Sequence, residues 1–222
     1  MTTDKWGPFT GKMLHMSYGQ CALFRVLVDE VDGQVQGGVV KFALDFDTGI
    51  CRARFHPIDE QLYVTGLRGW QTRAARDGAL QRVRYTGKPV HMPDEMRIIP
   101  GGIAITFTTP LDPGIAADTD NYSIEQWNYL WSSEYGSEEY SVADPTKLGR
   151  DPVHLESVEV SPDNRTITLK IPDLKPVMQM KISMRIDSAE GDPINYDIIN
   201  TVNKIPTTDP QFSGGPAGRV SP

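Results

Sequence analysis

Seven arginines, Arg52, Arg54, Arg68, Arg73, Arg76, Arg82 and Arg84, fall between residues 52 and 84, and Trp70 lies among them. A guanidinium is a planar fork of donors that grips carboxylates and other anions in pairs of hydrogen bonds. Arg68 and Arg73 on a loop beside the Trp70 ring would therefore suit an anionic sugar or the carboxylates of a quinone. The plainer reading, which the alternation favours, puts Arg52/Arg54 and Arg82/Arg84 on the wet faces of two strands, opposite Ala53, Phe55 and Val83, with Trp70 packed between sheets.

The second constellation is WNYLWSSEYGSEEY, from Trp127 to Tyr140, which holds two of the four tryptophans and three of the eight tyrosines in an acidic setting. Stacked rings on a strand face suit the apolar face of a sugar, and they bring large contact area at small entropic cost. Trp127, Tyr129, Trp131, Ser133 and Tyr135 share one parity, so a single extended strand would point them the same way. Tyr122 and Ile124 have the opposite parity, and a bulge near residues 125–126 would let both sets face a core. On that reading most of the rings are interior, and Tyr135 and Tyr140, flanking Gly136, are the exposed ligand-binding candidates.

Other chemistries find little support. His15, His56, His91 and His154 are scattered, with no pair at metal-ligand spacing and no HExxH, so no metal site is assigned. Asp112, Asp118, Asp120, Asp144, Glu134, Glu138 and Glu139 offer oxygen ligands, but none forms the calcium-binding D-x-D-x-D-G loop, and several flank turns where Asp serves the backbone. There is no GxSxG elbow, and QGGV at residues 36–39 opens no helix that would cradle a phosphate. Cys21 and Cys51 occur without a CxxC or CxxCH, which excludes a zinc ribbon or attached haem within this chain; they either pair or are two free thiols.

These residues must be positioned by strands. Periodicities of two in short runs bounded by Gly, Pro, Asp and Asn dominate the 222 residues, and no amphipathic helix of useful length competes, so the chain is expected to be all-β. Strands are expected around CALFRVLVDE, VQGGVVKFAL, GICRARFHP, QLYVTGL and ALQRVRYT in the first half. In the second half Ile103/Ile105/Phe107, Ile167/Leu169/Ile171 and Met178/Met180/Ile182/Met184/Ile186 each mark a buried face. Residues 1–88 carry 12 basic against 9 acidic side chains and residues 89–222 carry 10 against 20, which fits a junction near 88–93. The acidic second half argues against nucleic acid as a partner. No apolar run is long enough to span a membrane, and MTTDKWGPFTGK lacks the apolar core of a secretory signal.

The strand order of residues 1–88 is that of propeller blades, and residues 89–206 read as an immunoglobulin-like β-sandwich followed by a disordered tail at 207–222. A propeller blade needs about 40–50 residues and a ring needs four or more of them. Two blades cannot close, so either further blades lie upstream or the strands make a small sandwich of their own.

Three stretches carry a family resemblance: GPFTGKMLHMSYGQCALFRVLVDEVDGQVQGGVVKF, GICRARFHPIDEQLYVTGLRGWQTRAARDGALQRVRYTGKPVHMPDEMRI, and GGIAITFTTPLDP with DNYSIEQWNYLWSSEYGSEEY. The sequence resembles the C-terminal part of large secreted bacterial proteins, familiar from planctomycetes, that carry a β-propeller similar to quinone-dependent glucose and sorbosone dehydrogenases. The resemblance implies terminal blades of an incomplete β-propeller followed by the sandwich, in a secreted or periplasmic parent. It also implies pyrroloquinoline quinone and calcium in the parent, with the missing blades, carbohydrate, and a cytochrome c or cupredoxin-like domain as partners. No residue here matches a catalytic position of that family. A quinone held by many blades is not held by two, so this chain alone is expected to be a structural portion without activity, or else a carbohydrate- or partner-binding module.

Overall fold

The computed structural model describes residues 5–208 and is all-β, so most of the expected tail lies outside the described residues. The strands are β1 (Met13–Ser17), β2 (Ala22–Val31), β3 (Gln34–Lys41), β4 (Gly49–Phe55), β5 (Leu62–Leu67), β6 (Gly78–Val83), β7 (Pro93–Ile99), β8 (Gly102–Phe107), β9 (Tyr122–Trp127), β10 (Asp151–Pro152), β11 (Ser157–Val160), β12 (Thr166–Lys170), β13 (Val177–Asp187) and β14 (Pro193–Val202). All ladders are antiparallel. They form a seven-stranded sheet in the order β1-β2-β3-β14-β13-β9-β10, a four-stranded sheet β11-β12-β8-β7, and a three-stranded sheet β4-β5-β6.

The expected junction at residue 88 does not separate these sheets. β3 pairs with β14, Val40 opposite Ile198 and Gly38 opposite Asn200, so residues 13–41 extend the sheet of the second half. The buried faces agree with this: Leu23, Leu27 and Val40 join Met96, Ile103, Ile105, Ile167, Leu169, Met180, Ile182 and Ile198 in one cluster. β7 also packs across β2, where the buried Arg25 guanidinium meets Asp94. Charge balance shifts near residue 88 because surface composition changes there, and surface composition does not decide which strands share a ladder.

The β13 alternation holds from Met180 to Ile186, all buried, and fails at Met178, which a register shift between Val177 and Met180 brings toward the surface. Residues 161–164 form the expected hairpin turn between β11 and β12, with Asn164 in the left-handed region at φ +56°. Cys21 and Cys51 are both free thiols, which resolves the alternative left by the sequence. No helix among the described residues is long and apolar enough to cross a membrane.

Candidate functional site: an exposed aromatic surface

Two connections carry the aromatic candidates. The first, residues 68–77 between β5 and β6, is held at its ends and middle by backbone hydrogen bonds: the Arg68 N–H donates to the Asp77 carbonyl at 3.0 Å and the Arg73 N–H to the Gly19 carbonyl at 3.0 Å. The Thr72 hydroxyl donates to the Gly69 carbonyl at 3.0 Å, and Gln71 takes a left-handed conformation, φ +57°, so the loop turns sharply at Trp70. Trp70 is 69% exposed. It is not packed between sheets, contrary to the plainer expectation for it. Arg68 and Arg73 are also exposed, and among the described residues neither guanidinium has an ion-pair partner. Arg52 and Arg54 are exposed faces of β4, as expected.

The second connection, residues 128–150, departs from the extended strand expected for the tryptophan run. β9 ends at Trp127, and its register with β13 is continuous from Tyr122 to Trp127, so the expected bulge at 125–126 does not occur. Parity then puts Trp127 on the face opposite Ile124, and it is buried there without joining the main apolar cluster. Arg150 covers it, with its guanidinium carbon 3.9 Å from the ring centre. The same guanidinium forks onto Glu139, with Nε at 2.6 Å and Nη2 at 2.8 Å, and reaches Glu125 at 3.3 Å. Backbone bridges from Tyr140 to Asn128 and to Leu148 fold the connection back on itself. Tyr140 is therefore half-buried between two neighbours, a correction to its expected place on an exposed loop.

Beyond that base the chain loops outward. The Leu130 N–H donates to the Ser137 hydroxyl at 2.9 Å, and Gly136, at φ +86°, makes the turn. Trp131 is 91% exposed and Tyr135 is 84% exposed. Tyr135 was expected to be exposed; Trp131 was expected in the core. The polar run Asn128, Ser132, Ser133 and Glu134 was the available signal that β-alternation had ended. Tyr129, Leu130, Trp131, Glu134 and Glu138 line an open cleft of about 400 Å³.

The tertiary structure brings Trp70 and Tyr135 together across the sequence. Their ring centres stand 5.7 Å apart at an interplanar angle of 41°. The surface thus combines aromatic faces with carboxylates that accept hydrogen bonds, and it has no nucleophile–base pair of hydrogen-bonded side chains beside it among the described residues. Three of the carboxylates weighed for calcium are committed locally: Asp112 accepts from the Gly114 and Ile115 N–H groups, Asp118 from the Asp120 N–H, and Asp144 from Thr146.

The hydrogen bond from Arg150 holds the Glu139 carboxyl below its ordinary value of 4.5. A carboxyl depressed by folding contributes stability that is complete above the ordinary value and is lost as pH falls through the depressed one. The clamp at the base of the loop is therefore expected to open only below pH 4.5. An NMR titration of Glu139 should show a midpoint below that value and should return toward it in Arg150→Met; equal midpoints in the two proteins would contradict the clamp.

Compared with family models, with curated proteins and with solved structures, the chain matches none.

Proposed function

We propose that the chain is a non-catalytic module that presents the aromatic surface around Trp70, Trp131 and Tyr135 to carbohydrate. The observation that carries this reading is the contact of Trp70 with Tyr135, two solvent-facing rings from connections far apart in the sequence. Rings that only filled a core would be covered, and isolated exposed rings need no explanation, whereas grouped ones do. Sugars offer an apolar ring face for stacking and hydroxyls for carboxylate acceptors, and Glu134 and Glu138 stand along the neighbouring cleft. A glycan array followed by calorimetry on the best ligand tests it. Trp70→Ala, Trp131→Ala and Tyr135→Ala should each weaken binding roughly tenfold, with the thermal midpoint unchanged because the rings are exposed. Binding that survived all three substitutions, or an array without a ligand, would overturn the reading.

A second reading takes the chain as the C-terminal, structural portion of a secreted sugar-dehydrogenase-like propeller protein, with quinone, calcium and any cytochrome c or cupredoxin partner belonging to the parent. The sheet β4-β5-β6 favours it. It is a three-stranded meander in which, among the described residues, β6 pairs only with β5, and Leu80 is exposed on it, as in a blade short of its fourth strand. Intact-mass analysis of the protein from its source organism separates the outcomes. A mature product with further propeller repeats supports this reading, and one no longer than 222 residues removes it.

A further inference from the structure

Far from the aromatic surface in sequence, the segment entering β7 carries His91 and the turn joining β13 to β14 carries Glu190 and Asp192. Each of these side chains offers one ligand atom, and the three atoms lie within 4.8 Å of one another. We propose that His91, Glu190 and Asp192 bind a divalent transition-metal ion, with zinc as the occupant their chemistry suits best.

The ligand set favours zinc and its neighbours. One imidazole nitrogen with two carboxylates is a borderline donor set, which suits zinc better than the six to eight oxygens that calcium takes. His91 Nε2 and Asp192 Oδ2 are 3.2 Å apart. Two ligands at about 2.1 Å from a tetrahedral ion stand about 3.4 Å apart, so this edge of the site already has nearly the required length. Glu190 is exposed and its side chain can close the remaining gap by rotation. Three protein ligands leave a fourth position facing solvent for water.

The imidazole is held as a ligand histidine is held. Its side chain is 16% exposed, and Nδ1 lies 2.8 Å from the Thr109 hydroxyl oxygen. Engaging Nδ1 turns Nε2 toward the two carboxylates, which is the orienting role that outer-shell partners play at metal sites. The backbone beneath is cross-tied. The Thr108 N–H donates to the Met92 carbonyl at 3.0 Å and the Ala189 N–H to the Pro110 carbonyl at 3.0 Å, so residue 91, residue 109 and the turn move as one body. Within the turn, Ser188 is buried and its hydroxyl accepts from the Asp192 N–H at 3.0 Å, while Gly191 supplies φ +85°. An ion here would clasp the entry to β7 onto the β13–β14 hairpin. Sequence spacing along the chain does not reveal such a site, because its ligands come from opposite ends of the second half.

The test uses the full chain, free of any histidine tag and stripped of metal by chelation. Zinc chloride added in calorimetry should bind with a stoichiometry of one, and at hundredfold excess over the dissociation constant it should raise the thermal midpoint by about 5–10 °C. Cobalt in place of zinc should develop the visible absorption of a low-coordinate site. Thr109→Val should weaken zinc roughly tenfold, and His91→Ala or Asp192→Asn by more than the roughly 100-fold upper range for an outer-shell loss. Asp192→Asn and Glu190→Gln change only an exposed turn, so they decide the matter even if His91→Ala does not fold. Absence of stoichiometric zinc binding, or zinc binding unchanged in Asp192→Asn and Glu190→Gln, would overturn the proposal.

Discussion

Gly37→Ala is expected to lower stability by about 3 kcal/mol or more, combining backbone strain with overpacking. Gly37 adopts φ +141°, a region side chains rarely enter, and a Cβ there would overlap the Leu27 carbonyl oxygen of β2. It sits where β3 is paired on both sides, opposite Val28 of β2 and Thr201 of β14. Its neighbour Gly38 is also tight, since a Cβ would stand 2.7 Å from the Ile199 carbonyl oxygen. The two glycines let three backbones approach at the seam where β3 lies between β2 and β14. For a chain of this size the loss corresponds to about 6–12 °C in the thermal midpoint. Gly78→Ala is the matched control, because the nearest atom to its added Cβ is 3.9 Å away. Circular dichroism and tryptophan fluorescence should shift together if the seam joins one cooperative unit. A Gly37→Ala protein with the wild-type midpoint, or one in which only one probe moved, would contradict this packing.

Asp94→Ala is expected to cost about 3–5 kcal/mol, the usual result of leaving one member of a buried ion pair alone. Arg25 is 4% exposed in β2, and its Nε meets Asp94 Oδ1 at 3.3 Å while Nη2 donates to the Asp94 carbonyl at 2.8 Å. Burial lowers the pKa of Arg25, and Asp94 opposes that by favouring the charged form. Lys12 shares the same carboxylate at 3.2 Å but also holds Glu95 at 2.9 Å, so removing Asp94 strands the buried guanidinium and leaves the ammonium paired. Arg25→Met deletes the charge along with its partner's role and should cost much less. The double variant Arg25→Met with Asp94→Ala should therefore be more stable than Asp94→Ala alone in urea denaturation. If it were less stable, the penalty would lie in lost packing and not in an unpaired charge.

The strands were legible because alternation is a local property. β2, β3, β4, β5, β6, β8, β12 and most of β13 fall in short runs rich in apolar residues that lie between turn residues and lack a helical period. Tyr135, Arg68 and Arg73 were legible as exposed candidates for a similar reason, since Gly, Ser and charged neighbours mark loops, whereas the favoured reading placed the exposed Trp70 in the interior. Tyr140 and Trp131 were not. Tyr140 is drawn inward by backbone bridges to Asn128 and Leu148, partners that no local pattern specifies. Trp131 has the parity of a core residue, but the strand that would have made parity meaningful stops at Trp127.

By itself, the sequence determined the all-β class, the wet and dry faces of the strands, and the absence of recognisable nucleophile or phosphate-binding motifs, because each depends on residue type and short-range spacing. Tertiary structure alone decided that β3 zips onto β14 across the apparent junction, that Trp70 and Tyr135 meet, and that His91 faces Glu190 and Asp192. Those outcomes depend on which edges pair and which connections fold back over them. Sheet pairing joins residues distant in sequence through backbone groups that every residue carries, so it leaves little trace in residue type.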